Sequence, residues 1–289
     1  MVGPLLGIVR AAEMCRTAID NETTSDNWSE LMTISIVTDE LGLELEPAIE
    51  AIKSWGLDHV ELRGVVGGRY PDGFLEGTAK LVSENGLTVT ALSPGVFKCL
   101  PEKDIIAKHL ERLQIAVSGA PMFGADQVIV FSVESPDGDP PQQMVVDAFK
   151  RASDIAGEVG VRLLIENEPG FFAVSSRSLA ALIELIDRDN VGANWDPGNA
   201  FDNDYEIDMG AKILGDKMWN VHAKDVVHRD GERLFDSLGL GEIDWQTQLQ
   251  SIKNAGYDGP ICVETHCLPG VPKSKESLEK LRQWMSELQ

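Results

Sequence analysis

The stretch RLLIENEPGFFAVSSRSLAALIELIDRDNVGANWDPGN, residues 162–199, decides the fold. It opens on a short apolar run at 162–165 and closes on another at 192–195. Between them Leu179, Leu182, Ile183 and Ile186 recur at helical spacing, which gives a helix one apolar face. Strand, helix and strand in that order make a βα unit of a parallel sheet. Gly160 stands just before the first run, where a residue without a Cβ ends the preceding helix most cheaply in the left-handed conformation.

The same alternation extends in both directions. Short runs at 33–37, 59–62, 88–92, 127–131, 219–221 and 261–263 read as further strands, and Gly56, Gly86 and Gly256 punctuate helix ends as Gly160 does. Helical stripes lie between them: Leu45, Ile49, Ile52 and Trp55; Ile106, Leu110, Leu113 and Val117; and, at the end, Leu278, Leu281, Met285 and Leu288. Eight units of this kind predict an α/β fold, a (β/α)8 TIM barrel over residues 31–289. A doubly wound open sheet would carry a glycine-rich phosphate turn after its first strand, and Thr38-Asp39-Glu40-Leu41 stands there instead. Residues 1–30 fall outside the repeat as an N-terminal extension, with a short amphipathic helix expected over 5–19 and a polar loop over 21–29. Such an extension can cross the barrel floor, meet another subunit, or be missing if translation starts at Met32.

Composition narrows the function. The 289 residues are 43% hydrophobic and 25% charged, with 25 Lys+Arg against 47 Asp+Glu for a net charge of −22. That is a globular profile, and no apolar run approaches the roughly 20 residues of a bilayer span, so no membrane partner is expected. Strong acidity argues against a nucleic-acid partner, because phosphate binding needs a basic surface. Cys15, Cys99, Cys262 and Cys267 are scattered without metal-ligand or disulfide-scaffold spacing and read as reduced thiols. With Arg10 interrupting the one apolar stretch near the start, a cytoplasmic location is expected.

In such a barrel chemistry sits at the C-terminal ends of the strands. There the sequence reads LLIENEP (163–169), NWDPGN (194–199), NVHAKD (220–225) and CVETH (262–266), which brings Glu166, Asp196, His222 and Glu264 to one rim. Each has a bland reading: a carboxylate after a strand can cap the next helix, and Asp196 before Pro197 can start a turn. Together they need a compensating cation, since crowded carboxylates otherwise raise one another's pKa. An oxygen, oxygen, oxygen, nitrogen set suits one divalent metal ion: manganese, magnesium, cobalt or zinc.

With IEN at 165–167, NWDPGN at 194–199, VHAKD at 221–225, LGLGEIDW at 238–245 and GYDGPICVE at 256–264, the chain resembles the sugar phosphate isomerase/epimerase group of xylose-isomerase-like barrels. That superfamily also holds inosose isomerases and dehydratases, ketose 3-epimerases, hydroxypyruvate isomerase and endonuclease IV. The resemblance runs from about residue 34 to the C-terminus. It implies that Glu166, Asp196, His222 and Glu264 bind one divalent metal and that Glu166 and Glu264 double as catalytic acid/base groups on the two sides of a sugar. It also implies that homo-oligomers, dimers or tetramers, are common. Some relatives carry a histidine three residues past the aspartate, where this chain has Asn199. Endonuclease IV assembles three zincs from many histidines, whereas this chain has five His in all.

The chemistry expected is proton abstraction next to a carbonyl, with the metal stabilising the enediolate and a carboxylate taking the proton. The partner is then a small polyhydroxy carbonyl substrate, and the activity that of a carbohydrate isomerase or epimerase. Loss of a β-hydroxyl from the same site would make it a dehydratase (hydro-lyase) of an inosose or dehydroshikimate-like compound. Candidate substrate contacts are Arg63, Ser93, Glu168, Asn199, Lys224, His228 and His266, with Glu61, Ser132 and Glu134 beside them. Glu61 with Arg63 also reads as a structural ion pair at the barrel mouth, and Lys224 as a partner of Asp225. Residues 229–241 have the length and glycine content of a closing lid. No glycine-rich phosphate cradle is evident, so unphosphorylated sugars and cyclic polyols stand beside phosphorylated ones.

Overall fold

The computed structural model describes Trp28 and residues 32–135 and 141–288. The helix expected over 5–19 and the loop over 21–29 lie outside these residues, apart from Trp28. That indole is buried, with Nε1 donating to the Tyr257 carbonyl at 3.0 Å. Tyr257 precedes the last strand, so Trp28 packs at the N-terminal end of the barrel.

Eight parallel strands form one sheet: β1 (Thr33–Ile36), β2 (His59–Leu62), β3 (Thr88–Leu92), β4 (Gln127–Phe131), β5 (Arg162–Glu166), β6 (Val191–Trp195), β7 (Met218–Ala223) and β8 (Pro260–Val263). Each pairs with its sequence neighbours from β2 through to β8, and β8 pairs with β1. A single bridge between Val37 and Glu61 joins β1 to β2 and closes the ring. The doubly wound alternative is thereby excluded. Helices α1 (Leu45–Ser54), α2 (Leu75–Glu84), α3 (Lys103–Gly119), α4 (Gln143–Gly157), α5 (Ser176–Ile186), α6 (Gly210–Leu214), α7 (Trp245–Asn254) and α8 (Gly270–Glu287) surround it. The sixth unit departs from a full helix: a one-turn helix at Pro197–Ala200 and α6 replace it, because Asp196-Pro197 starts a tight turn and Gly210 packs its backbone on Trp195.

The apolar stripes are the faces that pack on the sheet. Leu179, Leu182, Ile183 and Ile186 of α5 are all buried, and each such burial stabilises by about 2 kcal/mol before entropy is counted. The glycines at 56, 86, 160 and 256 all take positive φ, as the helix-end reading requires. Inside the ring the packing differs from the outer core. Ala91, Ile129 and Leu164 form a small apolar layer, and beyond it the interior turns polar. The period of two along a strand explains why: Leu164 leads to Glu166, Asn194 to Asp196, Asn220 to His222 and Cys262 to Glu264.

Two short hairpins stand on the C-terminal rim, Gly64–Val65 with Gly68–Arg69 and Asp225–Arg229 with Glu232–Asp236. The second hairpin and the loop after it make up the stretch read as a lid over 229–241. Asp236 takes ion pairs from Arg229 and Lys273, both at 2.7 Å, and the buried Asp225 carboxylate accepts the backbone N–H groups of Gly239, Gly241 and Ile243. Of the cysteines, Cys99, Cys262 and Cys267 are free; burial holds the Cys99 and Cys267 thiols up at about 11. Cys15 lies outside the described residues. Among the described residues no helix is long and apolar enough to cross a membrane.

Candidate metal centre

Glu166 is the last residue of β5 and His222 lies within β7, while Asp196 and Glu264 directly follow β6 and β8. Two of the four thus sit in the strands rather than just past them, which fixes their Cα positions through the sheet ladder. All four are buried, and they offer ligand atoms that lie within 4.8 Å of one another. His222 Nδ1 is 3.1 Å from Glu264 Oε2, 3.6 Å from Glu166 Oε1 and 3.9 Å from Asp196 Oδ2. Donors bonded at ~2.1 Å to one ion stand ~3.0–4.2 Å apart, so the set fits a single divalent cation. It supplies three oxygens and one nitrogen, which suits manganese, magnesium, cobalt or zinc.

The imidazole is aimed by Glu61. That carboxylate, buried at the end of β2, accepts from His222 Nε2 at 2.9 Å across the barrel interior and from Asn220 Nδ2 at 3.3 Å. Nδ1 is left facing the three carboxylates. A carboxylate behind a histidine ligand fixes its tautomer and raises its basicity. Burial opposes a charged His222, but Glu61, Glu264 and Glu166 more than offset it and raise its pKa well above 6.5. Glu61 and Arg63 do not pair with each other: Glu61 points into the barrel at His222, while Arg63, just past the end of β2, reaches Asp39, Glu40 and Glu264 on the rim.

Asp196 serves both of its readings. Oδ1 accepts the Asn199 N–H at 2.9 Å and caps the short turn, while Oδ2 faces the cluster. Burial raises its carboxyl pKa, with Glu166 and Glu264 adding to the rise against the pull of Lys224. Asn167 braces the neighbouring strand ends, exchanging bonds with the Asp196 carbonyl and N–H at 2.8 and 2.9 Å. Asn199 donates to Glu166 Oε1 at 3.1 Å, so it orients a candidate ligand.

Lys224 faces the cluster and leaves Asp225 to the loop. Its Nζ is 2.9 Å from Glu264 Oε2 in a hydrogen bond and 2.7 Å from Asp196 Oδ2, an ion pair outside hydrogen-bonding geometry. Gly198 makes room for it, since a Cβ there would meet Lys224 Cγ at 2.4 Å. Arg63 donates to Glu264 Oε1 at 2.8 Å and also pairs with Asp39 and Glu40; His266 Nε2 lies 3.0 Å from the same Oε1. Burial would raise the Glu264 carboxyl, but Lys224, His222 and His266 hold it well below the usual range.

The other candidates lie further out. Glu168 pairs with Lys98 at 2.6 Å, and Lys98 covers the Phe131 and Phe171 rings. Ser93 is buried just past β3, and its backbone N–H donates to the Leu62 carbonyl. His228, on the second hairpin, faces Asp202 and Glu242 and touches none of the four clustered residues. Ser132 accepts the Ala173 N–H at 2.8 Å, a brace between loops, and Glu134 forms a backbone bridge to Phe171. The sequence reading missed Asn194, Asn220, Lys98 and Phe235. The first two were recoverable, because each lies two residues before a candidate ligand and so on the same face. Phe235, whose ring lies 5.6 Å from Lys224 Nζ and 5.3 Å from the His266 ring, carried no such signal.

A family model described as xylose isomerase-like TIM barrel matches residues 49–288. An inosose dehydratase of Geobacillus thermodenitrificans is 24% identical over 183 residues, 58% of this chain and 58% of the relative. A ketose 3-epimerase of Arthrobacter globiformis is 32% identical over 115 residues, 40% of this chain and 37% of that protein. The matched regions span 37% to 64% of the length of the curated relatives. Among solved structures, an L-ribulose 3-epimerase superposes with TM-score 0.76 at 17% identity, covering 89% of this chain and 95% of the other. A structure with a bound zinc atom gives TM-score 0.74 at 17% identity, covering 89% and 99%. At these identities the superpositions speak to the fold alone.

Proposed function

This chain belongs to the xylose isomerase-like TIM barrel family, and from that premise we propose that it is a divalent-metal-dependent isomerase or epimerase of a small polyhydroxy aldehyde or ketone. The observation that carries the reading is the convergence of Glu166, Asp196, His222 and Glu264, with His222 held from behind by Glu61. An ion held there would supply Lewis acidity toward the carbonyl and hydroxyl oxygens of the substrate, stabilising charge that develops when the neighbouring C–H is broken. Glu166 is the base in this reading. Asn199 holds its Oε1, and Oε2 keeps no hydrogen-bond partner among the described residues. Glu264 is gripped on both oxygens, so it returns a proton only as one of its donors supplies it. His266, 3.0 Å from Oε1, is placed to do so.

A dehydratase would use the same residues, and the similarity to an inosose dehydratase favours keeping that reading. The test is elemental analysis of protein purified without added metal, then a screen of ketoses and inososes in deuterated water. Solvent deuterium entering recovered sugar without loss of water supports the isomerase or epimerase reading; an absorbing enone product supports the lyase. Glu166→Gln should lower exchange by about 10²–10⁴-fold. A protein that carries no metal and exchanges no substrate deuterium overturns both.

A further inference from the structure

The rim carries a second feature, at the ends of β1 and β2. A cavity of about 520 Å³ opens there, lined by Thr38, Asp39, Gly64, Gly67, Gly68 and Arg69 among others. Its wall adjoins the metal centre through one side chain: Arg63 bonds Asp39 with Nε and Glu264 Oε1 with Nη1. Among the described residues only Arg69 and Arg151 are arginines whose side chains make no hydrogen bond or ion pair. Arg151 sits exposed on α4, remote from the rim.

Arg69 is set in place by the chain around it. It ends the small hairpin GVVGGR (64–69), pairs there with Gly64, and lays its guanidinium along Gly95, where a Cβ would stand 3.3 Å from Nη2. Partial burial and the neighbouring Arg63 and Arg112 all lower its pKa, against the pull of Asp39. Arg63 spends its charge on Asp39, Glu40 and Glu264, and Arg112 pairs with Asp72. A chain of net charge −22 thus leaves one guanidinium on its catalytic face with no carboxylate bonded to it, while Asp39 and Glu44 line the same cavity. A planar guanidinium presents paired N–H donors that match a carboxylate or phosphate in a bidentate fork.

We propose that Arg69 is the anion-recognition residue of this site, so that the sugar taken by the metal centre carries a carboxylate or phosphate at the end remote from the reacting carbons. The inference rests on the carbohydrate reading above and narrows its substrate class to acidic or phosphorylated sugars.

Three ketoses that differ at one end serve as probes: D-fructose, D-fructose 6-phosphate and D-fructuronate. Their binding to the metal-loaded protein is measured by titration calorimetry, and their deuterium exchange by NMR. The wild type should favour one or both anionic ketoses over D-fructose by at least about tenfold, the worth of one charge-assisted pair. Arg69→Gln should collapse that ratio toward one, and Arg69→Lys should keep part of it, with circular dichroism and metal content unchanged in both. The probe that is favoured tells carboxylate from phosphate. Equal binding of all three by the wild type, or a preference that survives Arg69→Gln, overturns the assignment. Anion preference lost in Arg69→Gln while no ketose exchanges deuterium would uphold the subsite and sink the isomerase reading. Exchange of D-fructose without any anion preference would do the reverse.

Discussion

Replacing Glu61 by glutamine tests how the candidate metal centre is aimed. Glu61 Oε2 lies 2.9 Å from His222 Nε2, and both side chains are only 1% exposed, so no water can take over the bond. The carboxylate fixes the proton on Nε2 and leaves the Nδ1 lone pair directed at Glu166, Asp196 and Glu264. Glutamine keeps the shape but removes the charge, and its amide can present either N–H or C=O to the imidazole. Loss of such a partner weakens metal affinity by about 10–100-fold, or about 1.4–2.7 kcal/mol. Glu61→Ala goes further, because His222 Nε2 loses its buried acceptor at about 1–3 kcal/mol of folding stability, while Asn220 Nδ2 keeps its bond to Asn194 Oδ1. Calorimetric titration of chelator-stripped protein with Mn²⁺ and Zn²⁺ reads the first effect, and urea unfolding the second. If Glu61→Gln binds both ions within about twofold of the wild type, well short of the loss a ligand's partner confers, the imidazole is oriented by something else and the argument fails.

Removal of divalent metal by a chelator should lower the melting temperature, and restoring an ion at about a hundred times its Kd should return about 2.7 kcal/mol; an unchanged melting curve would count against a resident ion. Asp225→Ala should destabilise the protein by about 2 kcal/mol or more, since Gly239, Gly241 and Ile243 lose one shared acceptor, with loop N–H groups that exchange faster with solvent as the direct readout. His266 is held above its ordinary pKa of 6.5: burial pulls it down, but Glu264 outweighs this. A raised folded pKa gives stability that is full below about pH 6.5 and fades as pH rises through the folded value. The urea midpoint of metal-free wild type should therefore exceed that of His266→Gln most at acid pH, with the gap closing toward alkaline pH; a gap independent of pH would refute the pairing.

The strands were legible because each is short, apolar and followed by a helix with one apolar face. Seven of the eight have the expected bounds to within a single residue at one end or none, as at 59–62 and 127–131. β7 ran longer than expected, since Asn220 and His222 interrupt its apolar character. They do so because the interior near the mouth is polar, which a hydrophobic pattern alone cannot show. The three clustered acids and the histidine were legible from strand-end position. What pairs with them was not: Lys224 and Asp225 are adjacent and point to opposite sides, and which of the two meets the cluster follows from the room left at Gly198 and the loop N–H groups that hold Asp225. Likewise Glu61 and Arg63 lie on one face of a strand by simple alternation, yet the end of β2 turns Arg63 away to Asp39, Glu40 and Glu264.

The ring of strands is thin at two joints, and between β3 and β4 a single pair, Leu92 with Val128, makes the ladder. Between β1 and β2 the ladder shrinks to the bridge from Val37 to Glu61, and the residue on the far side of that bridge is the one whose side chain steadies His222. Main chain and side chain of Glu61 therefore answer to different masters, the seam and the imidazole. Opening of the seam would then disturb the hold on the imidazole, and a load on the imidazole would bear on the seam. A ligand gripped at the mouth would in this way act as a clasp for the whole hoop, felt on the opposite flank as slower opening of strands that never touch it.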